Sequence, residues 1–138
     1  MTVTELLTGV LFIGHSLFGK TSPDMLSDLL RREIPQSHVE AQIINGAPLQ
    51  WNWSHSAEAE GVDARAVLPR GEIGTVILTE AIPLENHLKW SETEAYASRF
   101  HALAARSRPG AENGRKAGTR AATGCSGRAA RSARKSVL

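Results

Sequence analysis

The stretch Gly9-Val10-Leu11-Phe12-Ile13-Gly14-His15-Ser16-Leu17 decides the fold of this 138-residue chain. Its apolar run, residues 10–13 between two glycines, predicts a strand covered on both faces, as in parallel sheets. The strand leads through Gly14 to Ser16 and then to a predicted helix. Open α/β sheets bind ligands at the carboxyl ends of their strands, and a helix N-terminus offers N–H groups to an oxyanion. Ser16 is therefore a candidate nucleophile, and an ordinary turn-capping serine is the alternative.

Two further strands are predicted downstream. Residues 38–44 alternate and then become apolar before Asn45-Gly46, and residues 74–79 are rich in β-branched side chains. Because helical segments separate the strands through short links, the pattern predicts an α/β fold with a parallel sheet. Sheets usually have about five strands, so three strands predict an incomplete sheet.

Two helices are predicted from their start signals. The first begins with Ser22 as N-cap and Pro23 as the first helical residue. Its apolar residues fall on one side of the helix, and they are Met25, Leu26, Leu29 and Leu30. The second begins at Ser91, where Glu94 completes a capping-box pattern. Its apolar stripe consists of Tyr96, Phe100 and Leu103.

Composition divides the chain near residue 105. Residues 1–105 contain every aromatic residue and carry a net charge of −6, whereas residues 106–138 contain nine Lys or Arg and one acid, a net charge of +8. The sequence therefore predicts a domain over 1–105 and a disordered basic tail over 106–138, since the tail cannot bury enough apolar surface to offset its chain entropy. The abrupt change indicates either a frameshift in the coding sequence or a genuine basic tail.

Several classes of protein are disfavoured by the residues that are missing. The single cysteine, Cys125, excludes an intramolecular disulfide. No run approaches the roughly 18 apolar residues of a membrane span, and the N-terminal residues lack the basic region and cleavage site of a signal peptide. No Cys/His cluster has zinc-site spacing. We therefore expect a cytoplasmic location, no membrane partner, no metal and no cofactor.

The motif around Ser16 resembles the first block of the SGNH (GDSL-like) serine hydrolases, a strand followed by Gly-Asp/Asn-Ser-Leu, with His15 in place of the acid or amide. The resemblance covers about residues 8–104 and implies an incomplete flavodoxin-like sheet with flanking helices. It also implies that Ser16 is the nucleophile of a small-molecule ester or acyl hydrolase. Gly46, after the second strand, matches the family's glycine that donates a backbone N–H to the oxyanion hole.

The later blocks of the family are altered or missing. The third normally reads Gly-x-Asn-Asp after the next strand, but Asn86 comes several residues late and Glu80 stands at the strand end. Asn86 is the candidate for the second oxyanion donor if this loop is rebuilt, with Glu80 as a substitute polar group, and a position on a surface helix or loop is the alternative for Asn86. The last block, Asp-x-x-His, is absent, because no aspartate has a histidine three residues on. We therefore expect a hydrolase fragment with little or no activity, since a serine without a general base is a weak nucleophile.

Two other functions are compatible with the sequence. Residues 14–21 fit the phosphate-loop pattern G-x-x-x-x-G-K-[ST], in which Lys20 would contact phosphates and Thr21 magnesium. A helix starting at Ser22-Pro23 would begin too late for such a loop, and no predicted strand ends in an aspartate suited to magnesium. The third possibility is a nucleic-acid partner bound by the basic tail through phosphate contacts.

Overall fold

The computed structural model describes residues 2–107, and these form an α/β fold around a four-stranded mixed sheet. The strands are β1 (Gly9–Gly14), β2 (His38–Ile43), β3 (Glu60–Gly61) and β4 (Thr75–Leu78). The helices are α1 (Val3–Thr8), α2 (Thr21–Glu33), α3 (Leu49–Ser54), α4 (Ala64–Val67), α5 (Leu84–Trp90) and α6 (Thr93–Arg106). Of the basic tail predicted over 106–138, residues 108–138 lie outside the described part of the chain.

The sheet has the order β3-β2-β1-β4, with β1 at the centre. β1 pairs in parallel with β2, from Gly9↔His38 to Gly14↔Ile43, and in parallel with β4 on its other side. Every residue of β1 is buried, which explains its continuous apolar run. The three predicted strands are confirmed, and their spatial order is compatible with a flavodoxin-like sheet, whose order begins 2-1-3. The two-residue β3, antiparallel to β2, was not predicted.

The main core lies on one face of the sheet. Leu11 and Ile13 of β1 meet the buried faces of α3, α4 and α6, and the further buried members of this cluster are Leu49, Ala64, Val67, Leu68, Ile73, Tyr96 and Phe100. Phe100 is fully buried, and the Trp53 ring meets it edge-on at a centroid distance of 5.0 Å. Leu103 packs against the same cluster. The predicted apolar stripe of α6 is therefore confirmed.

Helix α2 differs from its prediction at its start and on its buried side. It begins at Thr21, with Lys20 in the N-cap position and no side-chain cap, so Ser22 is not the cap and Pro23 is the third helical residue. Pro23 is buried, whereas Met25 and Leu29 are 61% and 57% exposed. The predicted apolar side is wrong for these two residues, because the buried side of the helix is the one that carries Pro23, and Met25 and Leu29 lie about 160° and about 120° away from it around the helix axis.

The start of α6 also differs from its prediction. Ser91 ends α5 instead of capping α6, and Glu92, with φ of 48°, occupies the N-cap position without a side-chain hydrogen bond. The capping box predicted for Ser91 and Glu94 is therefore wrong. The positive φ of Glu92 lies at the turn between the two helices. Just after it, the Thr93 hydroxyl donates a hydrogen bond to the Glu80 carboxylate at 2.6 Å.

A capping box does occur at α1, which was not predicted. The Glu5 N–H donates to Thr2 Oγ1 at 3.2 Å, and the Thr2 N–H donates to the Glu5 carboxylate at 2.6 Å. The hydrogen bond from the Thr2 backbone and, after it, the interaction of the carboxyl with the Thr2 side chain lower the pKa of the Glu5 carboxyl. Since the folded state favours the ionised carboxyl, this contribution is present above its ordinary pKa and is lost as the pH falls.

Candidate functional site

Ser16 is exposed at the carboxyl end of the central strand, in a turn that spans residues 16–20 before α2. The turn is closed by the Phe18 N–H, which donates to the His15 carbonyl at 3.1 Å. The strand before it requires glycine, because a Cβ on Gly14 would collide with the Thr79 hydroxyl on the neighbouring strand end. The next strand along the chain, β2, lies on one side of β1, and β4 lies on the other. Ser16 therefore follows the strand at which the strand order reverses, and open α/β sheets bind ligands at such a point.

His15 is buried beneath this turn, with 6% of its surface exposed. Its Nε2 lies 3.0 Å from the Glu80 carbonyl oxygen, and its Nδ1 lies 3.4 Å from the Leu17 backbone nitrogen. A carbonyl oxygen only accepts, and a backbone N–H only donates. The contacts therefore assign the proton to Nε2 and leave Nδ1 as an acceptor. The imidazole therefore links Leu17, the residue after Ser16, to Glu80, which lies just beyond the end of β4.

The Glu80 carboxylate joins three loops at this edge of the sheet. Its Oε1 accepts hydrogen bonds from the Leu49 N–H at 3.0 Å and the Ala81 N–H at 2.7 Å, and its Oε2 accepts from the Thr93 hydroxyl at 2.6 Å. The sequence singled out Glu80 as a polar group at a strand end. In the structure its side chain connects the starts of α3 and α6 instead of pointing free toward a ligand.

Gly46 lies at the same edge of the sheet as Ser16. Gly14 of β1 pairs with Ile43 of β2, and the Ile44 N–H donates to the Gly14 carbonyl at 3.1 Å, so the loops that follow the two strands start side by side. Gly46 is exposed and has φ of 67°, a left-handed conformation that favours glycine. The structure thus brings the loops carrying Ser16 and Gly46 to one edge.

Asn86 lies in a different setting from the other two candidates. It is exposed within α5, and its backbone N–H donates to the Pro83 carbonyl at 3.2 Å in the first turn of that helix. It is therefore a helical surface residue, six positions beyond Glu80, and does not stand at the end of a strand. Of the two interpretations of Asn86, the structure agrees with a surface helix.

A buried amide pair supports the site, and the sequence reasoning missed it. Asn52 is fully buried, and its Nδ2 lies 3.3 Å from three carbonyl oxygens, those of Gly14, Ala47 and Pro48. Its Oδ1 accepts from Gln42 Nε2 at 3.1 Å, while Gln42 Oε1 accepts from the Ala64 N–H at 2.7 Å. Asn52 thereby fixes both the end of β1 and the loop after Gly46. A glutamine inside a strand flanked by apolar residues was the only sequence signal.

The phosphate-loop geometry receives mixed support. Helix α2 begins at Thr21, directly after Lys20, so the objection that the helix starts too late is wrong. However, a phosphate loop points successive backbone N–H groups at its ligand, and here the Leu17 and Phe18 N–H groups donate to His15. These two N–H groups are therefore used within the turn, by the side chain and the carbonyl of His15, instead of pointing at a ligand.

Replacement of Glu80 by glutamine tests the role of its carboxylate. We expect Glu80→Gln to lower the free energy of unfolding by about 1–2 kcal/mol, because hydrogen bonds to a charged acceptor are stronger than those to a neutral one. Urea unfolding followed by circular dichroism measures the change. Glu85→Gln is the matched control: Glu85 forms an exposed pair with Lys89 at 2.7 Å, and such a pair contributes about 0.3–0.5 kcal/mol. Equal effects of the two substitutions would contradict the assigned role.

Neither a metal cluster nor a membrane span is found in the part of the chain that the structure describes. Residues 2–107 contain no group of three or more His, Cys, Asp or Glu side chains placed to hold a metal ion, and none of their helices is long and apolar enough to cross a bilayer. Comparison of the chain with protein-family models, with curated proteins and with solved structures gives no match.

Proposed function

We propose that this chain carries the nucleophile half of an SGNH-like serine ester or acyl hydrolase, with Ser16 as the nucleophile. The observation that carries the proposal is the placement of Ser16. It is an exposed serine two residues after the buried central strand, which has a parallel neighbour on each side; His15 accepts a hydrogen bond from the turn of Ser16, and Asn52 donates one to the end of that strand. A hydroxyl that stands clear of the sheet edge on a fixed turn is what attack on an ester carbonyl requires.

The oxyanion of such a reaction would be bound by backbone N–H groups. We assign this role to the Ser16 and Gly46 N–H groups, because the loops after β1 and β2 start side by side at this edge. Asn86 is a weaker candidate for the second donor, since it lies in α5. The substrate class is a small-molecule ester, bound without a cofactor.

Turnover is expected to be low. The sequence contains no Asp-x-x-His, so no residue pair matches the acid and base that the resemblance requires. A site with an oxyanion hole and a nucleophile, but without the rest of the triad, retains about 10³–10⁴-fold acceleration over water. The proposal therefore predicts a serine that reacts once with an activated reagent but does not cycle rapidly.

A fluorophosphonate probe tests the proposal, because the probe is itself strongly electrophilic, forms a stable bond with a positioned serine hydroxyl and needs no turnover. The folded chain is incubated with the probe, and the modified residue is located by mass spectrometry of proteolytic peptides. We expect the adduct on Ser16. The proposal fails if the folded chain acquires no adduct, or if the adduct is spread over other exposed serines.

The nucleotide-binding alternative has one observation in its favour, the start of α2 immediately after Lys20. It predicts that Mg²⁺-ATP or Mg²⁺-GTP raises the melting temperature of the chain and that Lys20→Ala removes this effect. We expect no nucleotide-dependent shift in either protein. A shift of several degrees that is lost in Lys20→Ala would replace the hydrolase proposal with the phosphate-loop one. The nucleic-acid alternative concerns the basic tail, outside the described residues.

A further inference from the structure

We infer that His15 is a positioning residue whose neutral imidazole holds the turn of Ser16 by accepting a hydrogen bond from the Leu17 N–H. The inference rests on the proposed function, since it concerns the turn of the proposed nucleophile. It assigns a role to the one residue at which the Gly14-His15-Ser16-Leu17 motif departs from the pattern that it resembles.

The geometry points to a substitute for an Asx turn. An aspartate or asparagine side chain characteristically accepts a hydrogen bond from the backbone N–H two residues on. His15 Nδ1 stands in that relation to Leu17, at 3.4 Å. An imidazole is longer than a carboxylate, and its second nitrogen reaches the Glu80 carbonyl at 3.0 Å. Histidine thus makes the local bond and adds an anchor two residues beyond β4, the Glu80 carbonyl, that a shorter side chain cannot reach.

Burial makes the arrangement specific. His15 is 6% exposed, so water cannot readily replace either partner, and a ring rotated by 180° about the Cβ–Cγ bond would put carbon atoms in the places of both nitrogens and lose both hydrogen bonds. The anchor is itself fixed, because the Glu80 carboxylate accepts hydrogen bonds from Leu49, Ala81 and Thr93. The Glu80 side chain thus binds three loops, and the Glu80 carbonyl binds the His15 ring. The same ring accepts the hydrogen bond from Leu17, the residue after Ser16.

Two substitutions separate this positioning role from simple packing. His15→Asn loses the Glu80 anchor but keeps an oxygen that accepts from the Leu17 N–H, whereas His15→Ala loses both. We expect both variants to be destabilised to urea. We expect the rate of fluorophosphonate labelling of Ser16 to fall by about 10–100-fold in His15→Ala, the effect of a misplaced reacting group, and to stay within about threefold of the parent in His15→Asn. His87→Asn, which alters a histidine on α5 that contacts Ser91 Oγ, is the control and should label at the parent rate.

A second readout does not depend on labelling. Nuclear magnetic resonance of the imidazole nitrogens should show the proton on Nε2, and the Leu17 amide should exchange slowly in the parent chain and in His15→Asn but rapidly in His15→Ala. The inference is overturned if Leu17 exchanges equally in all three proteins, or if His15→Asn labels as slowly as His15→Ala. If the parent chain does not label at all while Leu17 follows the expected order, the nucleophile proposal fails and the positioning of the turn stands.

Discussion

Ser16→Ala is expected to remove covalent labelling of the folded chain by a fluorophosphonate completely. The hydroxyl oxygen of Ser16 is the atom that the proposal places at the reacting centre, and no neighbouring group can replace it. Because Ser16 is exposed in a turn and none of the described hydrogen bonds uses its side chain, we expect the free energy of unfolding to change by less than about 0.5 kcal/mol. Intact-mass spectrometry and urea unfolding measure the two quantities on the same sample.

Ser22→Ala is the matched control for this experiment. Ser22 lies six residues further on, in the first turn of α2, and is partly exposed. It carries the same hydroxyl in a similar stretch of chain, but it does not follow the central strand. We expect Ser22→Ala to label at the parent rate. Continued labelling of Ser16→Ala at the parent rate would show that the probe modifies another residue, and the assignment of Ser16 would be wrong.

Asn52→Ala is expected to cause the largest loss of stability among the polar substitutions considered. The change leaves the carbonyl groups of Gly14, Ala47 and Pro48 without their shared donor, and it removes the acceptor of one Gln42 hydrogen bond. Each buried polar group left without a partner costs about 1–3 kcal/mol, and some of these groups keep other partners. We therefore expect a loss of about 2–4 kcal/mol in the free energy of unfolding.

Asn45→Ala is the control for Asn52→Ala, because it makes the same chemical change at an exposed position seven residues away. Its effect should stay within about 0.5 kcal/mol. Urea unfolding at one protein concentration, followed by circular dichroism, compares the two. Similar midpoints for both variants would contradict the support that we assign to the buried amide pair. Because Asn52 also fixes the end of β1, its loss should slow the labelling of Ser16 as well.

The sequence predicted the parts of the fold that depend on local pattern. β1 was recognisable because all six of its residues are buried, so its apolar run is unbroken. The stripe of α6 was recognisable because Tyr96 and Phe100 recur at the helical period and face one core. The edge of the sheet that carries Ser16 and Gly46 followed from the same strands, since parallel strands end together.

The remaining features depend on contacts between distant residues, which no local pattern contains. Glu80 draws Thr93 and Leu49 toward the end of β4 from 13 and 31 positions away, and this contact accompanies the later start of α6. Asn52 reaches Gly14 across 38 positions. In the sequence it stands between two tryptophans in a polar stretch, where nothing marks it as buried. The buried side of α2 was mistaken for Met25 and Leu29, because the helix buries the side that carries Pro23, where Leu26 and Leu30 are partly buried.

The rate at which Ser16 reacts in the folded chain, relative to the unfolded chain, tests the central claim most directly. A fluorophosphonate probe is applied to the native protein and to the protein in concentrated urea, and the adduct on the Ser16 peptide is followed over time. The account predicts that folding accelerates this reaction by roughly 10³-fold, the contribution that positioning and oxyanion donors retain without a full triad. Equal rates in the two states would contradict it, because Ser16 would then be an ordinary surface serine on an α/β fold.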